Sequence, residues 1–395
     1  MPLAFLFAAL LTGAAPPSPA LPPPTPPPAV LADSTGEAGT SAEAMAAAHG
    51  RLRDALGRYE AIAEGGGWPS IPDGPLVEPG DTARAQVEAL RSRLAKTDEL
   101  GPADASGPVY DDALAAALAA FQRRHGLVVD SLLGGNTRAA LNVPAAQRVE
   151  QIERALAQWD DLPDFPTGPD DRYVMVNVPE FRVRAFEGGR EALQMEVIVG
   201  ETYDGRETPL FHDTMERVVF RPFWNVPPGI AREELVPDGP DALADEGFEI
   251  VSHYAADAEV YAMTAANLQR VADGSLRIRQ KAGPDNALGL VKYLFPNRHA
   301  VYLHDTPADR LFERAARTFS HGCIRLEDPA AFGAWVLGPM GWDEGRVRQN
   351  MTEGERQVVT LEEHVPVYIV YLTVYADDEG AVYFLDDVYD EYADA

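Results

Sequence analysis

Cys323 is the only cysteine in the chain, and it lies in a segment rich in groups that could carry out acyl transfer. His321 is two residues before it, and His304 is 19 residues before it. A free thiol has a pKa of about 8.5, so an imidazole that accepts its proton increases the thiolate fraction. The same imidazole can then protonate a departing amine. Cys323 is therefore a candidate nucleophile with histidine as its base.

Ser320 and Gly322 complete a Ser-His-Gly-Cys motif around this thiol. A glycine beside a nucleophile lets backbone N–H groups approach a substrate carbonyl, and losing one such oxyanion donor typically costs about 3–4 kcal/mol. Arg325 lies two residues after the cysteine, and its guanidinium suits a substrate carboxylate through a bidentate pair. The motif thus combines a nucleophile, an oxyanion site and an anion-binding group.

Two other interpretations of this segment stay open on spacing alone. A lone cysteine can be an inert buried residue, because one thiol cannot form an intramolecular disulfide or a multi-cysteine metal site. A zinc site could use Cys323 with His304, His321 and Asp305. No HExxH or CxxC pattern accompanies these residues, which disfavours zinc.

The composition limits the classes of partner and the location. The chain has 395 residues, enough for two or three domains, and its net charge of −29 repels phosphate backbones. We therefore expect no binding of nucleic acid. The apolar run at residues 3–11 is shorter than the about 20 residues that span a bilayer, so it fits an export signal rather than a stable membrane span. We expect a periplasmic protein, tethered if the signal stays uncleaved.

Periodicity and turn residues predict an α+β fold. Helical spacing dominates before residue 159, and apolar–polar alternation begins near residue 172. Residues 229–271 lose this alternation and look helical, which predicts either a lid-like insertion or a rigid decoration. Residues 365–395 predict a hairpin and a solvated acidic tail. The predicted segments are a signal peptide and Pro-rich tether (1–32), a helical scaffold (33–105), a small helical module (106–144), a scaffold helix and linker (145–171) and a β-rich domain (172–395).

Residues 109–144 resemble the peptidoglycan-binding helical module of many wall enzymes. Leu114, Leu118 and Phe121 share one face of the first predicted helix, and Leu141 can close over them from the second. Ser131 stands where the module usually has a glycine. A generic helical hairpin is the alternative. The residues that carry the resemblance are Phe121, Gln122, Arg123, His125, Gly126, Leu127, Asp130, Gly134, Thr137, Ala140, Leu141 and Asn142.

The segment around the cysteine resembles the signature of the L,D-transpeptidase family. Residues 279–305 are similar to the larger, periplasmic branch of that family, which also has the helical scaffold, the inserted peptidoglycan-binding module and the lid-like insertion. The resemblance implies an L,D-transpeptidase catalytic domain in residues 172–395 that needs no metal or organic cofactor. The residues that carry it are His304, Asp305, Thr306, Pro307, Arg317, Phe319, Ser320, His321, Gly322, Cys323, Ile324 and Arg325.

The resemblance also implies roles for single residues. Cys323 would be the nucleophile and His304 the general base and acid, with His321, Gly322 and Cys323 forming the nest around the oxyanion. His321 could instead orient the loop without taking part in catalysis, and Trp224 could belong to the core rather than to the donor groove. The residues expected to bind substrate are Tyr302, Arg325, Ser320 and Trp224.

The predicted function is a step of peptidoglycan biosynthesis that affects the cell wall and cell shape. The Cys323 thiolate would release D-Ala from a tetrapeptide stem and form a thioester, which the side-chain amine of another stem resolves to a 3→3 cross-link. The implied partners are peptidoglycan stem peptides, glycan, and carbapenems that acylate the same thiol. Hydrolysis, D-amino-acid exchange and attachment of a protein share this acyl-enzyme, so the acceptor stays open. A non-catalytic wall-binding protein is the alternative from another class.

Overall fold

The computed structural model describes residues 41–392, except 83, 98, 167, 169, 204 and 256. The predicted signal peptide and Pro-rich tether lie outside the described residues. Within them, no helix is both long enough and apolar enough to cross a membrane. Helices and β-sheets both occur, which confirms the predicted α+β fold class.

The N-terminal part of the described chain is helical, as the periodicity predicts. α1 and α5 pack against each other, with Ala48, Leu52 and Ile152 in a shared apolar cluster. α3 begins where the Asp111 carboxylate accepts a hydrogen bond from the Leu114 amide at 3.0 Å, a standard N-cap. The helices are α1 (Ser41–Glu64), α2 (Arg84–Leu94), α3 (Asp112–Arg124), α4 (Gly135–Leu141) and α5 (Ala145–Asp160).

The predicted small module has its own core. Leu114, Leu118, Phe121 and Leu141 are fully buried, as their spacing predicts. The same cluster contains Val87 from α2, so this core extends upstream of the predicted boundary at residue 106. A pair of helices this short cannot bury enough apolar surface alone, and α2 supplies the missing contacts.

Ser131 keeps the left-handed backbone that a glycine would adopt more easily, with φ of +58°. Its amide donates to Gln122 Oε1 at 2.9 Å, and its hydroxyl donates to the Ala115 carbonyl at 3.1 Å. These two hydrogen bonds hold the turn in place. The substitution therefore leaves the shape of this turn intact.

A closed nine-stranded sheet forms the centre of the β-rich domain. Its strand order is β11-β3-β12-β10-β9-β4-β13-β1-β2, and an additional β2–β3 pairing closes the sheet on itself. Closure removes most exposed strand edges. The strands are β1 (Arg172–Asn177), β2 (Arg182–Glu187), β3 (Arg190–Gly200), β4 (Phe211–Phe220), β5 (Trp224–Asn225), β6 (Phe248–Val251), β7 (Val260–Tyr261), β8 (Arg277–Gln280), β9 (Val291–Leu294), β10 (Leu303–His304), β11 (Thr318–Ser320), β12 (Ile324–Leu326), β13 (Gln357–Val370), β14 (Val374–Ala376) and β15 (Val382–Phe384).

The insertion differs from the predicted helical segment at residues 229–271. It contains a four-stranded antiparallel sheet in the order β5-β8-β6-β7, so it begins before residue 229 and ends beyond residue 271. These strands have only two to four residues, too few for the alternation to stand out beside the acidic helices. The insertion has its own apolar core, which includes Val226, Leu243 and Ile278. Its helical segments are α6 (Pro228–Ile230), a π-helical turn (Ala231–Leu235), α7 (Val236–Asp238), α8 (Pro240–Asp245) and α9 (Ala265–Ala272).

The main core lies inside the closed sheet and beneath two further helices, α10 (Pro329–Leu337) and α11 (Glu344–Thr352). Phe332 from α10 and Val347 from α11 are fully buried in it. α10 begins with the Asp328 carboxylate accepting from the Ala331 amide at 3.0 Å. This core fixes the strands that carry the candidate catalytic residues.

The C-terminal segment contains the predicted hairpin, but the hairpin is shorter than predicted because residues 365–370 belong to another strand. Residues 357–370 belong to β13 of the main sheet, and β14 pairs with β15 as a separate two-stranded sheet. The prediction of a solvated tail at residues 386–395 was wrong for residues 387–389 and 392, which are partly buried. The Asp387 carboxylate accepts from the Tyr371 hydroxyl at 2.6 Å, and the Tyr389 hydroxyl donates to the Gly200 carbonyl at 2.9 Å. Aromatic residues among the acidic ones anchor this segment.

Candidate active site

Two short parallel strands bring the candidate catalytic residues onto one face of the sheet. β10 pairs with β12 so that Leu303 is opposite Ile324, and both side chains are fully buried in the main core. Successive side chains of a strand point to opposite faces. The residues next to these two along the chain therefore share the other face. They are Tyr302, His304, Cys323 and Arg325.

Cys323 is partly exposed on this face, beside Tyr302. The backbone and the phenol hydroxyl of Tyr302 both act to lower the pKa of the Cys323 thiol. The Ala300 carbonyl oxygen lies 3.8 Å from Sγ and can accept a hydrogen bond from the thiol. Burial raises the pKa of the Cys323 thiol, whereas Tyr302, Lys292 and Arg325 act to lower that pKa. The site thus offsets part of the cost of ionising a shielded thiol.

His304 is buried on the same face, with its ring centroid 5.7 Å from that of Tyr302. Its Nδ1 lies 2.5 Å from the Asp305 carbonyl oxygen. Burial, followed by the positive charge of Arg325, lowers the pKa of His304 to about 3. The imidazole is therefore neutral near pH 7, which is the form that accepts a proton. Within the described part of the chain, no hydrogen bond joins this imidazole to the Cys323 sulfur.

The loop before the nucleophile has a shape that requires glycine. Gly322 has φ of +105°, and a Cβ at this position would lie 3.2 Å from the Glu207 carbonyl oxygen. The Gly322 carbonyl accepts from the Thr208 hydroxyl at 3.0 Å. The Ser320 hydroxyl accepts from the Gly322 amide at 3.1 Å and donates to the Cys323 carbonyl at 2.5 Å. The loop is closed by its own hydrogen bonds.

These hydrogen bonds correct two expectations. The Gly322 amide is already used, so it does not contribute to the predicted oxyanion nest. Ser320 is buried and holds the loop, so it does not line the pocket as predicted. The amides of His321 and Cys323 have no acceptor among the described residues and are the donors left for an oxyanion.

His321 faces the insertion rather than the thiol. Its Nε2 lies 2.9 Å from one carboxylate oxygen of Glu234 and 3.2 Å from the other. Arg206, from the loop between β3 and β4, donates to the same carboxylate at 2.5 Å. The side chain of His321 therefore links the catalytic loop to the insertion, in line with the structural alternative for this residue.

The two remaining candidates have different surroundings. Arg325 donates to the Phe319 carbonyl at 3.1 Å, and its Nε is buried without a hydrogen-bond partner among the described residues. This guanidinium can take an anionic group of a substrate. Trp224 is half-buried in the insertion with its ring 6.0 Å from that of Phe248, and its predicted contact with the donor stays a prediction.

Sequence reasoning missed Lys292 and Thr208 as parts of this site, and it gave Asp305 no role in acyl transfer. Lys292 lies on β9 beside His304, in a strand whose sequence shows only ordinary alternation. Asp305 accepts from the Leu290 amide at 2.7 Å, which ties the segment before β9 to the residue after His304. The register of the strands brings these residues together, and a local sequence motif does not reveal that register.

The zinc alternative has no support in the described chain, where no group of three or more His, Cys, Asp or Glu side chains is placed to hold a metal ion. His321 in particular pairs with Glu234, away from His304 and Cys323. The thiol is thus left beside Tyr302, Lys292 and Arg325, as an acyl-transfer site requires.

Comparisons with known proteins find a match for the helical module and a curated relative. Residues 83–141 match a family described as "Putative peptidoglycan binding domain". A curated protein from Haemophilus influenzae, "Putative L,D-transpeptidase", is 29% identical over 231 residues, which are 58% of this chain and 45% of that protein. The chain thus matches less than half the length of this relative.

Solved structures of L,D-transpeptidases are similar to the chain at low identity. One, from Xylanimonas cellulosilytica, is 15% identical with a TM-score of 0.24, covering 76% of this chain and 99% of that one. Another, solved in complex with imipenem, is 13% identical with a TM-score of 0.26, covering 52% of this chain and 61% of that one. The family model for the L,D-transpeptidase catalytic domain matches residues 171–369, just over half of the chain and all of the sheet face described above. The chain therefore belongs to the L,D-transpeptidase family.

Proposed function

We propose that the protein is a periplasmic L,D-transpeptidase that forms 3→3 cross-links in peptidoglycan through a thioester on Cys323. The observation that carries the proposal is the placement of one thiol, a neutral imidazole and a guanidinium on the same face of the sheet, beside a loop with two unused amides. Membership of the family supports acyl transfer at this thiol. The periplasm is where the stem peptides of peptidoglycan occur.

In the first half of the reaction, the thiolate attacks the carbonyl between the third residue of a tetrapeptide stem and its terminal D-Ala. The C–N bond breaks, a C–S bond forms, and D-Ala leaves after its nitrogen receives a proton. His304 takes the thiol proton and returns it to that nitrogen. The amides of His321 and Cys323 stabilise the oxyanion of the tetrahedral intermediate. Arg325 binds a carboxylate of the donor stem.

In the second half, the side-chain amine of the third residue of another stem attacks the thioester. The C–S bond breaks, an amide bond forms, and the amine loses a proton as the thiol is regenerated. Each step uses groups of this chain and of its two substrates. The module at residues 83–141 supports retention on the glycan, which keeps both stems at high local concentration.

Carbapenems are the inhibitors that this chemistry predicts. Their strained lactam carbonyl can accept the same thiolate, which opens the ring and leaves a covalent adduct on Cys323.

The test is to incubate the purified protein with defined muropeptides and to identify the products by mass spectrometry. We expect a 3→3 linked dimer with release of D-Ala, and a mass increase of one carbapenem on the intact chain. Cys323→Ala should abolish the dimer and the covalent adduct, because no second thiol exists. Thr360→Ala, on the exposed part of β13, controls for effects of expression and purification and should keep full activity.

The products also separate this proposal from the alternatives. Tripeptide without dimer would indicate an L,D-carboxypeptidase, and stems carrying a new D-amino acid or a protein would indicate exchange or protein attachment. A folded protein that binds glycan but takes up no carbapenem would indicate a non-catalytic wall-binding protein.

A further inference from the structure

Lys292 lies in the candidate active site by strand register. It pairs with His304 across the β9–β10 ladder and with Val219 across the β9–β4 ladder. Its chain neighbours Val291 and Tyr293 are fully buried in the main core. Alternation therefore directs Lys292 to the opposite face, which is the face of the nucleophile.

On that face, the Lys292 ammonium lies beside the thiol and Tyr302. Nζ is 5.0 Å from the centroid of the Tyr302 ring, a cation–π distance. Tyr302 and Lys292 both act to lower the pKa of the Cys323 thiol. A cation therefore lies on the face of the sheet where a negative sulfur would form.

No carboxylate compensates this ammonium in the described part of the chain, where Lys292 has no ion pair. Burial lowers the pKa of Lys292 to about 8, and Arg356 acts in the same direction, whereas a negative Cys323 opposes both. A half-buried cation without a permanent partner is costly. An anion that forms during the reaction would recover part of this cost.

The presence of lysine rather than arginine at position 292 also favours an interaction with the sulfur. The chain has lysine only at positions 96, 281 and 292, and all its other basic side chains apart from histidine are arginine. A lysine carries a compact charge on one nitrogen, which can approach a single sulfur atom more closely than a planar guanidinium. Arg325 on the same face is suited instead to a bidentate carboxylate.

We propose that the Lys292 ammonium is the counter-ion of the Cys323 thiolate and acts as a positioning residue for the nucleophile. The thiol proton leaves to His304 or to solvent, the sulfur keeps the electron pair, and Lys292 neither gains nor loses a proton. The ammonium and Tyr302 hold the charged sulfur at one position. This inference rests on the proposed function, because it concerns the nucleophile of that reaction.

Other charged and titratable groups lie near this thiol or act on Lys292, and they enter the pH dependence. Tyr302 directly precedes β10, His304 lies in β10, Arg325 lies in β12, and Arg356 precedes β13. Glu201 interacts with Arg325 and partly offsets its charge. Lys292 is distinguished from Arg325 by the absence of such a carboxylate.

The test is the pH dependence of alkylation of the protein by iodoacetamide, which reads Cys323 alone because the chain has one cysteine. In Lys292→Met, we expect the midpoint of the rate profile to rise by about one pH unit, which slows alkylation near pH 7 about tenfold. Lys292→Arg should restore most of the rate, because it keeps the charge. Lys96→Met, at an exposed lysine of the helical region, should leave the profile unchanged.

A folded Lys292→Met protein with an unchanged midpoint would overturn the proposal, as would an arginine variant that behaves like the methionine variant. If the methionine variant does not fold, Lys292→Gln keeps the polarity of the site and answers the same question. Alkylation needs no stem peptide. If the wild-type protein forms no cross-links but Lys292→Met still raises the midpoint, the proposed function is refuted and this inference about the thiolate stands.

Discussion

Burial shifts the pKa values of the thiol and the imidazole in opposite directions, and each shift favours the neutral form. It raises the pKa of Cys323 and lowers the pKa of His304 to about 3. The resting pair is therefore a thiol and a neutral imidazole rather than a preformed ion pair. Tyr302, Lys292 and Arg325 then determine how readily the thiolate forms. The chemistry therefore depends on these three residues as much as on Cys323 and His304.

His304→Ala should slow acylation by a carbapenem by about 10²–10⁴, the usual range for loss of a general acid–base group. The thiol stays in place, so slow labelling should still be seen by intact mass. His253→Ala is a matched control, since His253 is an exposed histidine of the insertion. An unchanged acylation rate in the His304 variant would assign proton transfer to another group.

The lowered pKa of His304 also predicts where the acylation rate falls at acid pH. A base works only when it is deprotonated, so the rate should fall as the pH drops through the pKa of His304, near 3, and not near 6.5. The measurement is carbapenem acylation of the wild-type protein between about pH 7 and pH 4. A limb near 6.5 that is absent in His304→Ala would show that the imidazole titrates normally.

At the scale of elements, the insertion is joined to the catalytic loop by one carboxylate. Glu234 lies in the π-helical turn of the insertion and contacts both His321 and Arg206. The pairs are partly exposed, so their individual contributions to stability are small, about 0–1 kcal/mol. Such a weak contact can open and close readily, as a lid over the donor site requires.

Glu234→Gln should therefore lower the ratio of cross-linked dimer to hydrolysed tripeptide, because a looser insertion admits water to the thioester. Acylation by a small β-lactam should change much less. Glu233→Gln provides the control, since Glu233 is exposed and pairs with its neighbour Arg232 at 2.8 Å, away from His321. An equal product ratio in both variants would favour a rigid decoration over a lid.

The elements also show what the sequence could reveal. Helices α1, α3 and α5 follow from long periodic segments, and the Ser-His-Gly-Cys motif indicates the candidate nucleophile because its residues are adjacent. The sheet within the insertion escapes prediction because its strands are too short to show a period. Lys292 escapes because its neighbours in space, Tyr302 and Cys323, are set by the register of two strand pairs.

At the scale of the whole molecule, the β14–β15 hairpin connects the N-terminal helices to the catalytic domain. Arg58 of α1 donates to the Gly380 carbonyl at 2.5 Å, and Arg124 of α3 donates to the Val382 carbonyl at 3.0 Å. His125 stacks between Phe121 and Phe384. The helical module is thus fixed to the catalytic domain through this hairpin, and glycan bound to the module would have a defined position relative to Cys323.

Glu180 anchors the same hairpin to the main sheet. Its carboxylate, buried in the turn between β1 and β2, accepts two hydrogen bonds from Arg184 at 2.7 and 2.5 Å and one from the Tyr375 hydroxyl at 2.9 Å. Glu180→Gln should lower the free energy of unfolding by about 3–5 kcal/mol, since it leaves a buried guanidinium without its main partner. Tyr375→Phe, which removes one hydrogen bond to the same carboxylate, should cost about 1 kcal/mol. Urea unfolding of both variants measures the difference.

The stabilisation from Glu180 should disappear in acid over a defined range. Burial alone would raise the pKa of Glu180, but Arg184 outweighs it and lowers the pKa to about 2. Because the folded value lies below the unfolded value of about 4.5, the contribution is fully present above pH 4.5 and is lost as the pH falls toward 2. The difference in unfolding free energy between the wild-type protein and Glu180→Gln should therefore be constant from pH 7 to pH 5 and shrink below pH 4.5. A difference that stays constant down to pH 3 would mean that the carboxylate is not the group that holds Arg184.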